Sequence, residues 1–201
     1  MFTQIFISYL LLLNPFLSVF LLPAPARPEP AAITLPAPPR EEDGIVWQAE
    51  RRLSWDDFQS EANPREPLHA MTSTNIEVQA HCYGSQMQFD VKCVFKTKDS
   101  WSKNKKSERL LAHEQMHFDL TEVHARRLRQ KLAQSKGLCG SDKGRFGKIV
   151  EGYFADWKAE QDQYDLESNH GLNQEQQLQW ENKIARRLET LSPFAYAMPE
   201  S

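Results

Sequence analysis

The sequence predicts an α+β fold, from two patterns that occupy different parts of the chain and one motif at their junction. From Gly44 to Trp101 apolar and polar residues alternate with period two, as in strands covered on one face. After Lys103 the apolar residues recur with the helical period. The junction carries His113-Glu114-Gln115-Met116-His117, at the spacing of a metal-binding helix.

The first elements lie outside this core. Residues Ile5 to Leu22 form an apolar run broken only by Ser8, Tyr9, Asn14, Pro15 and Ser18, and Ala24-Pro25-Ala26 supplies small residues at signal-peptidase spacing. Residues 1–26 are therefore expected to be a signal peptide or, if uncut, an N-terminal anchor. Residues 27–43 are rich in Pro and Ala, which favours extended polyproline II and a linker. The protein is expected to be exported, periplasmic or secreted, touching a membrane only through an uncleaved anchor. Residues 44–201 remain for the folded domain, enough to bury a core, and 40% hydrophobic residues with 11 Phe and 5 Trp supply its material. A formal net charge of −3 without a basic stripe argues against nucleic acid as a partner. The Lys103 to Lys106 and Arg126 to Lys131 clusters are expected to be solvated faces.

Within the domain, Ile45-Val46-Trp47, Asn75 to Ala80 and Met87 to Phe95 are the strand candidates, and Tyr83-Gly84-Ser85-Gln86 is the hairpin turn between the longer two. Leu53 to Phe58 suits a short helical turn capped by Ser54, with Asp56 and Asp57 as capping acids. The first long helix begins after Ser107, a plausible N-cap, and contains no Pro or Gly through Lys136, with Gly137 standing at its C′ position. A second helix is expected across Ile149, Val150, Tyr153, Phe154, Trp157 and Tyr164. The third opens at Asn173, with Gln176 three residues on, and stops before Pro193.

The motif carries the chemistry. Residues four apart on a helix stand one above the other, so the imidazoles of His113 and His117 can converge on one Zn2+ ion. Glu114, turned about 100° from His113, is placed beside the metal's open position, where it would serve as general base. Asp119 is a candidate to hold a ligating imidazole in its tautomer. A catalytic zinc needs a third protein ligand. His124 sits about 10 Å further along a straight helix, too far to share the ion, and is expected to be an exposed or partly buried helix histidine. An elongated motif with a third histidine ten residues after the first fails, because Val123 occupies that position and Leu120 replaces the glycine such a turn needs. His170, in Tyr164-Asp165-Leu166-Glu167-Ser168-Asn169-His170-Gly171, is the leading third ligand, with Asp165, Glu167 and Glu151 as rivals. Cys82, Cys93 and Cys139 fit one disulfide plus one thiol, with the pairing open.

Several of these segments together resemble a family of exported bacterial proteins known as a domain of unknown function and described as zinc-dependent proteases of the zincin type. The resemblance runs over about residues 44 to 191 and rests on Leu53 to Phe58, Ser100-Trp101, Leu110 to Asp119, Ala125 to Arg129, Tyr164 to Gly171, Gln177 and Trp180. The resemblance leads one to expect Gly at the position of Met116 and Thr at that of Ser168; neither difference removes a candidate ligand. The resemblance implies a zincin-like fold and adds weight to His170 as a ligand.

The expected function is therefore a zinc-dependent metallopeptidase hydrolysing peptide bonds outside the cytoplasm, with His113, His117 and His170 on the metal and Glu114 as general base, acting on a peptide or protein of unknown identity. An exposed sheet edge could hold that peptide by strand addition. The alternative is a non-catalytic cell-envelope binding module with a structural or degenerate metal site. A third class is metal-dependent hydrolysis of a non-peptide amide.

Overall fold

The period-two stretches fold as antiparallel strands and the helical-period stretches as helices, so the protein is α+β. The computed structural model describes residues 44–140 and 144–197. The expected signal or anchor (1–26) and linker (27–43) lie outside the described residues. In chain order the elements are β1 (Gly44–Val46), β2 (Ala70–Met71), β3 (Thr74–Tyr83), β4 (Gln86–Lys96), β5 (Trp101–Ser102), α1 (Glu108–Gln134), α2 (Gly144–Ser168) and α3 (Gln174–Thr190). Short 3₁₀ turns occur at Trp55–Asp57, Thr97–Asp99 and Ser192–Phe194. No helix among the described residues is long and apolar enough to cross a membrane.

β3 and β4 pair antiparallel from Thr74↔Phe95 to Tyr83↔Gln86, and β1 adds to the other side of β4. The turn is the expected one, with Gly84 at φ 63°, a conformation that costs glycine little. β2 and β5 form a separate two-stranded ribbon that the sequence pattern did not reveal, since two residues show no periodicity. The Trp55–Asp57 turn is capped as expected: the Asp57 carboxylate accepts the Ser54 N–H at 2.7 Å. Ser107 caps α1, its Oγ accepting from Leu110 N at 3.2 Å, and Asn173 caps α3, accepting from Gln176 N at 3.3 Å. α1 stops earlier than expected, at Gln134; Gly137, at φ 70°, turns the chain just beyond.

α1 lies between two cores. On one side Phe118, Leu128 and Leu132 pack with Phe58, Ile76, Val91 and Phe95 of the sheet region, through a run of aromatic contacts Trp55–Phe58–Phe95–Phe118. On the other, Met116, Leu120 and Val123 pack with Tyr164 of α2 and Trp180 and Ile184 of α3. Covering a helix on both faces also buries its polar residues. Arg126 and Arg129, expected on a solvated face, are buried around Glu122, at 2.8 and 2.9 Å. Arg126 also donates to Leu188 O, tying α3 to α1, and Arg129 donates to Val91 O and Phe194 O, tying the sheet and the C-terminal turn to it. His124, expected to be at most partly buried, is 1% exposed and meets Glu160 at 2.7 Å, where Arg187 also binds.

The cysteine pairing is Cys82–Cys139, joining the end of β3 to the segment after α1. Cys93 is a buried thiol, pushed well above its ordinary pKa by burial.

Replacing Glu122 leaves two buried cations without their carboxylate. Glu122→Gln is expected to lower stability by about 3 kcal/mol in urea unfolding followed by circular dichroism.

Candidate metal centre

Helical spacing brings His113 and His117 together as expected: their Nε2 atoms are 3.2 Å apart. α2 crosses above them and presents Asp165 from its last turn. Asp165 Oδ1 lies 3.1 Å from His113 Nε2 and 3.0 Å from His117 Nε2. After α2 ends, Asn169, His170 and Gly171 all adopt left-handed backbone, at φ 49°, 52° and 77°. The His170 N–H bonds back to Asp165 O at 3.0 Å, and this reversal sets His170 Nδ1 3.3 Å from Asp165 Oδ1. Gly171 is required twice over, by its φ and because a Cβ there would stand 2.9 Å from His113 Cβ.

Tautomers follow from the amides behind the histidines. Gln161 Nε2 is engaged by His117 O and Thr121 Oγ1, so its oxygen faces His117 Nδ1, at 2.6 Å. Gln177 Nε2 bonds Glu181, so its oxygen faces His113 Nδ1 at 3.3 Å and also accepts from the Tyr164 hydroxyl at 2.8 Å. Each Nδ1 must therefore carry a proton, and each Nε2 turns its lone pair toward Asp165. Tyr164 stacks on the His113 ring at 4.7 Å and meets His117 edge-on, fixing both planes.

Two imidazole lone pairs and a carboxylate oxygen thus converge on one point. Such a set repels itself unless a cation lies between, and its chemistry and spacing suit zinc. Tetrahedral zinc with bonds of about 2.0–2.1 Å separates neighbouring donors by roughly 3.3 Å. The observed separations of 3.2, 3.1 and 3.0 Å match one face of that tetrahedron. His113, Asp165 and His170 also offer donor atoms within 4.8 Å of one another.

Glu114 is 3% exposed and lines the same cleft as the histidines. Among the described residues no group donates to its carboxylate, which leaves it available to a bound molecule. Thr72 Oγ1 touches its carbonyl at 3.4 Å and ties the segment after β2 to α1. The cleft measures about 520 Å³ and is lined by Pro67 to Thr72, by α1 and by the loop after α2. A second cleft of about 780 Å³ shares Met71, Thr72, His117 and Asp165 with it and continues past Phe154 and Trp157.

The family model for a bacterial protein of unknown function (DUF922) matches residues 38–171. The chain belongs to this family. The DUF922 match contains the whole of α1, Asp165, His170 and Gly171 and stops before α3. No curated protein and no solved structure matches the chain.

The DUF922 chain brings together His113, Glu114, His117 and His170, all expected, and Asp165, which had been weighed against His170. Of the other rivals, Glu167 is exposed and accepts from Trp180 Nε1 at 2.8 Å, and Glu151 is exposed in the first half of α2. Asp119 requires a correction. Its carboxylate is taken by Trp47 Nε1, Arg52 and Gln115 Nε2, at 2.8, 2.9 and 2.8 Å, because its position two residues past His117 turns it away toward the sheet side. Gln161 and Gln177 do the work expected of it. Gln161 stands one helical turn before Asp165, and that spacing is the only sequence signal it offered.

With no cation between these groups, a proton can relieve their repulsion. Burial alone would lower the His117 pKa, but hydrogen bonding and charge from Asp165, then the charge of Glu114, raise it above the ordinary imidazole value. Burial alone would raise Asp165, but hydrogen bonds from His113 and His117 hold it well below the usual carboxylate range. The Asp165 contribution to stability is present above its unfolded value of about 3.9 and fades as pH falls. The His117 contribution is present below its unfolded value of about 6.5 and fades as pH rises through the raised value. Thermal melts of the metal-free protein are expected to show this stabilisation between those limits, and Asp165→Asn should flatten both edges. Gly171→Ala, forced against His113, is expected to lower the melting temperature in thermal unfolding followed by circular dichroism.

Proposed function

We propose that this chain is a zinc-dependent metallopeptidase that hydrolyses peptide bonds outside the cytoplasm. The carrying observation is the set of converging donors: His113 and His117 with Nε2 lone pairs aimed at Asp165 Oδ1, in an open cleft that also holds the unpaired carboxylate of Glu114. His113, His117 and a donor from the end of α2, where Asp165 and His170 stand side by side, would hold the ion. When bound there, zinc supplies polarisation of the scissile carbonyl and acidification of water.

The chain's own residues supply the rest. Glu114 takes the proton of the attacking water and returns it to the leaving amine. Gln161, Gln177 and Tyr164 keep the imidazoles from turning, so the site needs little reorganisation on loading. The ribbon edge suits an extended substrate. β2 pairs only with β5 among the described residues, and the inward hydrogen bonds of His69 O and Ser73 N leave the backbone groups of Ala70 and Thr72 facing away from β5. Both residues line the cleft that holds Glu114. The Cys82–Cys139 disulfide favours an oxidising compartment.

One observation supports a second reading. If Asp165 and His170 both bound the ion, four protein donors would close its shell, as in structural sites, and the protein would be a binding module.

Metal analysis by mass spectrometry and peptide hydrolysis separate the two. The parent and Glu114→Gln are expected to hold one zinc, His113→Ala to lose it, and Glu114→Gln to lose at least a thousandfold in turnover. Tightly bound zinc without hydrolysis of any peptide in a broad library would select the binding module.

A further inference from the structure

The geometry points to a substrate class: peptides with acidic side chains on both sides of the bond cleaved, read by Arg109 on one flank and Lys158 on the other. This inference deepens the peptidase reading and rests on it.

The two clefts share Met71, Thr72, His117 and Asp165, so together they form one path across the donor cluster, with the β2 edge alongside. Apart from Glu114, Asp165 and the histidines, the first cleft has a single charged lining residue, Arg109, and the second has only Lys158. Arg109 precedes His113 by one turn of α1, about 6 Å along the axis. Lys158 precedes Asp165 by two turns of α2, about 10 Å. At about 3.3 Å per residue of extended peptide, each cation stands within reach of a side chain two or three residues from the donor cluster.

Several other cations of the domain are neutralised where they stand. Arg51 pairs with Asp57, Arg52 with Asp119, Lys96 with Glu77, Arg126 and Arg129 with Glu122, and Lys183 and Arg187 with Glu160. Arg109 and Lys158 are exposed and have no acidic partner among the described residues. Lys158 does not pair even with Asp162, one turn away on α2. With Glu114 and Asp165 at its middle, the path is formally neutral, but the two unpaired cations at opposite ends leave each flank positive. A carboxylate at either flank completes an ion pair there, while a cationic side chain meets repulsion. Phe154 and Trp157 beside Lys158 add an apolar wall for the stem of that side chain.

The test uses the zinc-loaded full chain and quenched fluorescent peptides sharing a randomised core, flanked on either side by Glu, Gln or Lys. The same peptides are titrated by fluorescence anisotropy into Glu114→Gln. Binding and kcat/KM are both expected to rank Glu over Gln over Lys, by about three- to fivefold per flank at low salt, with the differences collapsing at high salt. Arg109→Glu should invert the preference at one flank only, and Lys158→Glu at the other. Equal binding and cleavage of the Glu and Gln peptides, or a preference that survives both reversals, overturns the inference and leaves the peptidase reading intact. Charge-ranked binding to Glu114→Gln without cleavage by the parent overturns the peptidase reading, and with it any bond cleaved, while Arg109 and Lys158 still read the flanks of a bound acidic peptide. Neither binding nor cleavage of any peptide overturns both.

Discussion

Burial of α1 on both faces is the constraint on which the rest of the structure depends. The sheet covers one side of the helix and α2 and α3 cover the other, so polar side chains that would face water on an ordinary surface helix are enclosed. An enclosed polar group without a partner costs more than most single contacts return. The surroundings are accordingly built to meet each one: Glu122 gathers Arg126 and Arg129, His124 meets Glu160, and Asp119 collects Trp47, Arg52 and Gln115. These bonds reach the sheet, α2 and the C-terminal turn, so satisfying one helix also orients its neighbours.

The candidate metal centre is the exception to that pattern of mutual satisfaction. Where other buried groups on α1 find a complementary partner, His113 and His117 are turned by Gln177 and Gln161 so that lone pairs face a carboxylate. The same low-dielectric packing that makes Glu122 a structural anchor makes this arrangement unfavourable without a cation or a proton between the groups. Buried acceptors aimed at one another are a cost to folding, and a binding site for a metal is the physical function such a cost serves in the proposed reading.

The end of α2 makes the site possible. Asp165 belongs to regular helix and is placed by the packing of Tyr164 and Ser168, both fully buried. His170 depends instead on three successive left-handed residues, a conformation that survives in Asn169 and His170 only because the surrounding bonds hold it. Asp165 is thus a rigid donor and His170 an exposed one beside it, its Nδ1 3.3 Å from Asp165 Oδ1. Gly171 closes the arrangement by letting the loop backbone rest against the His113 ring.

The α+β class, the long hairpin and its turn, the helices with their Ser107 and Asn173 caps, and the neighbourhood of His113, Glu114 and His117 were legible in the sequence. Each depends on contacts within a few residues or on a periodicity that repeats along one element. The resemblance to a bacterial family of unknown function was legible too, from motifs spread along the domain. What lay beyond sequence came from chain segments far apart. The β2–β5 ribbon is too short to show a pattern, and the arginines after His124 looked like a solvated face because nothing local says that a sheet and a C-terminal turn will cover them. Asp119 and Gln161 were misjudged or missed for one reason: a hydrogen bond between elements depends on how two helices cross, not on spacing along either. The sequence by itself therefore determined the secondary structure and the histidine pair, through local geometry. Only the tertiary structure decided which residues face that pair, how Cys82 finds Cys139, and that Asp165 shares the centre with His170, because those choices follow from packing α1 on both sides at once.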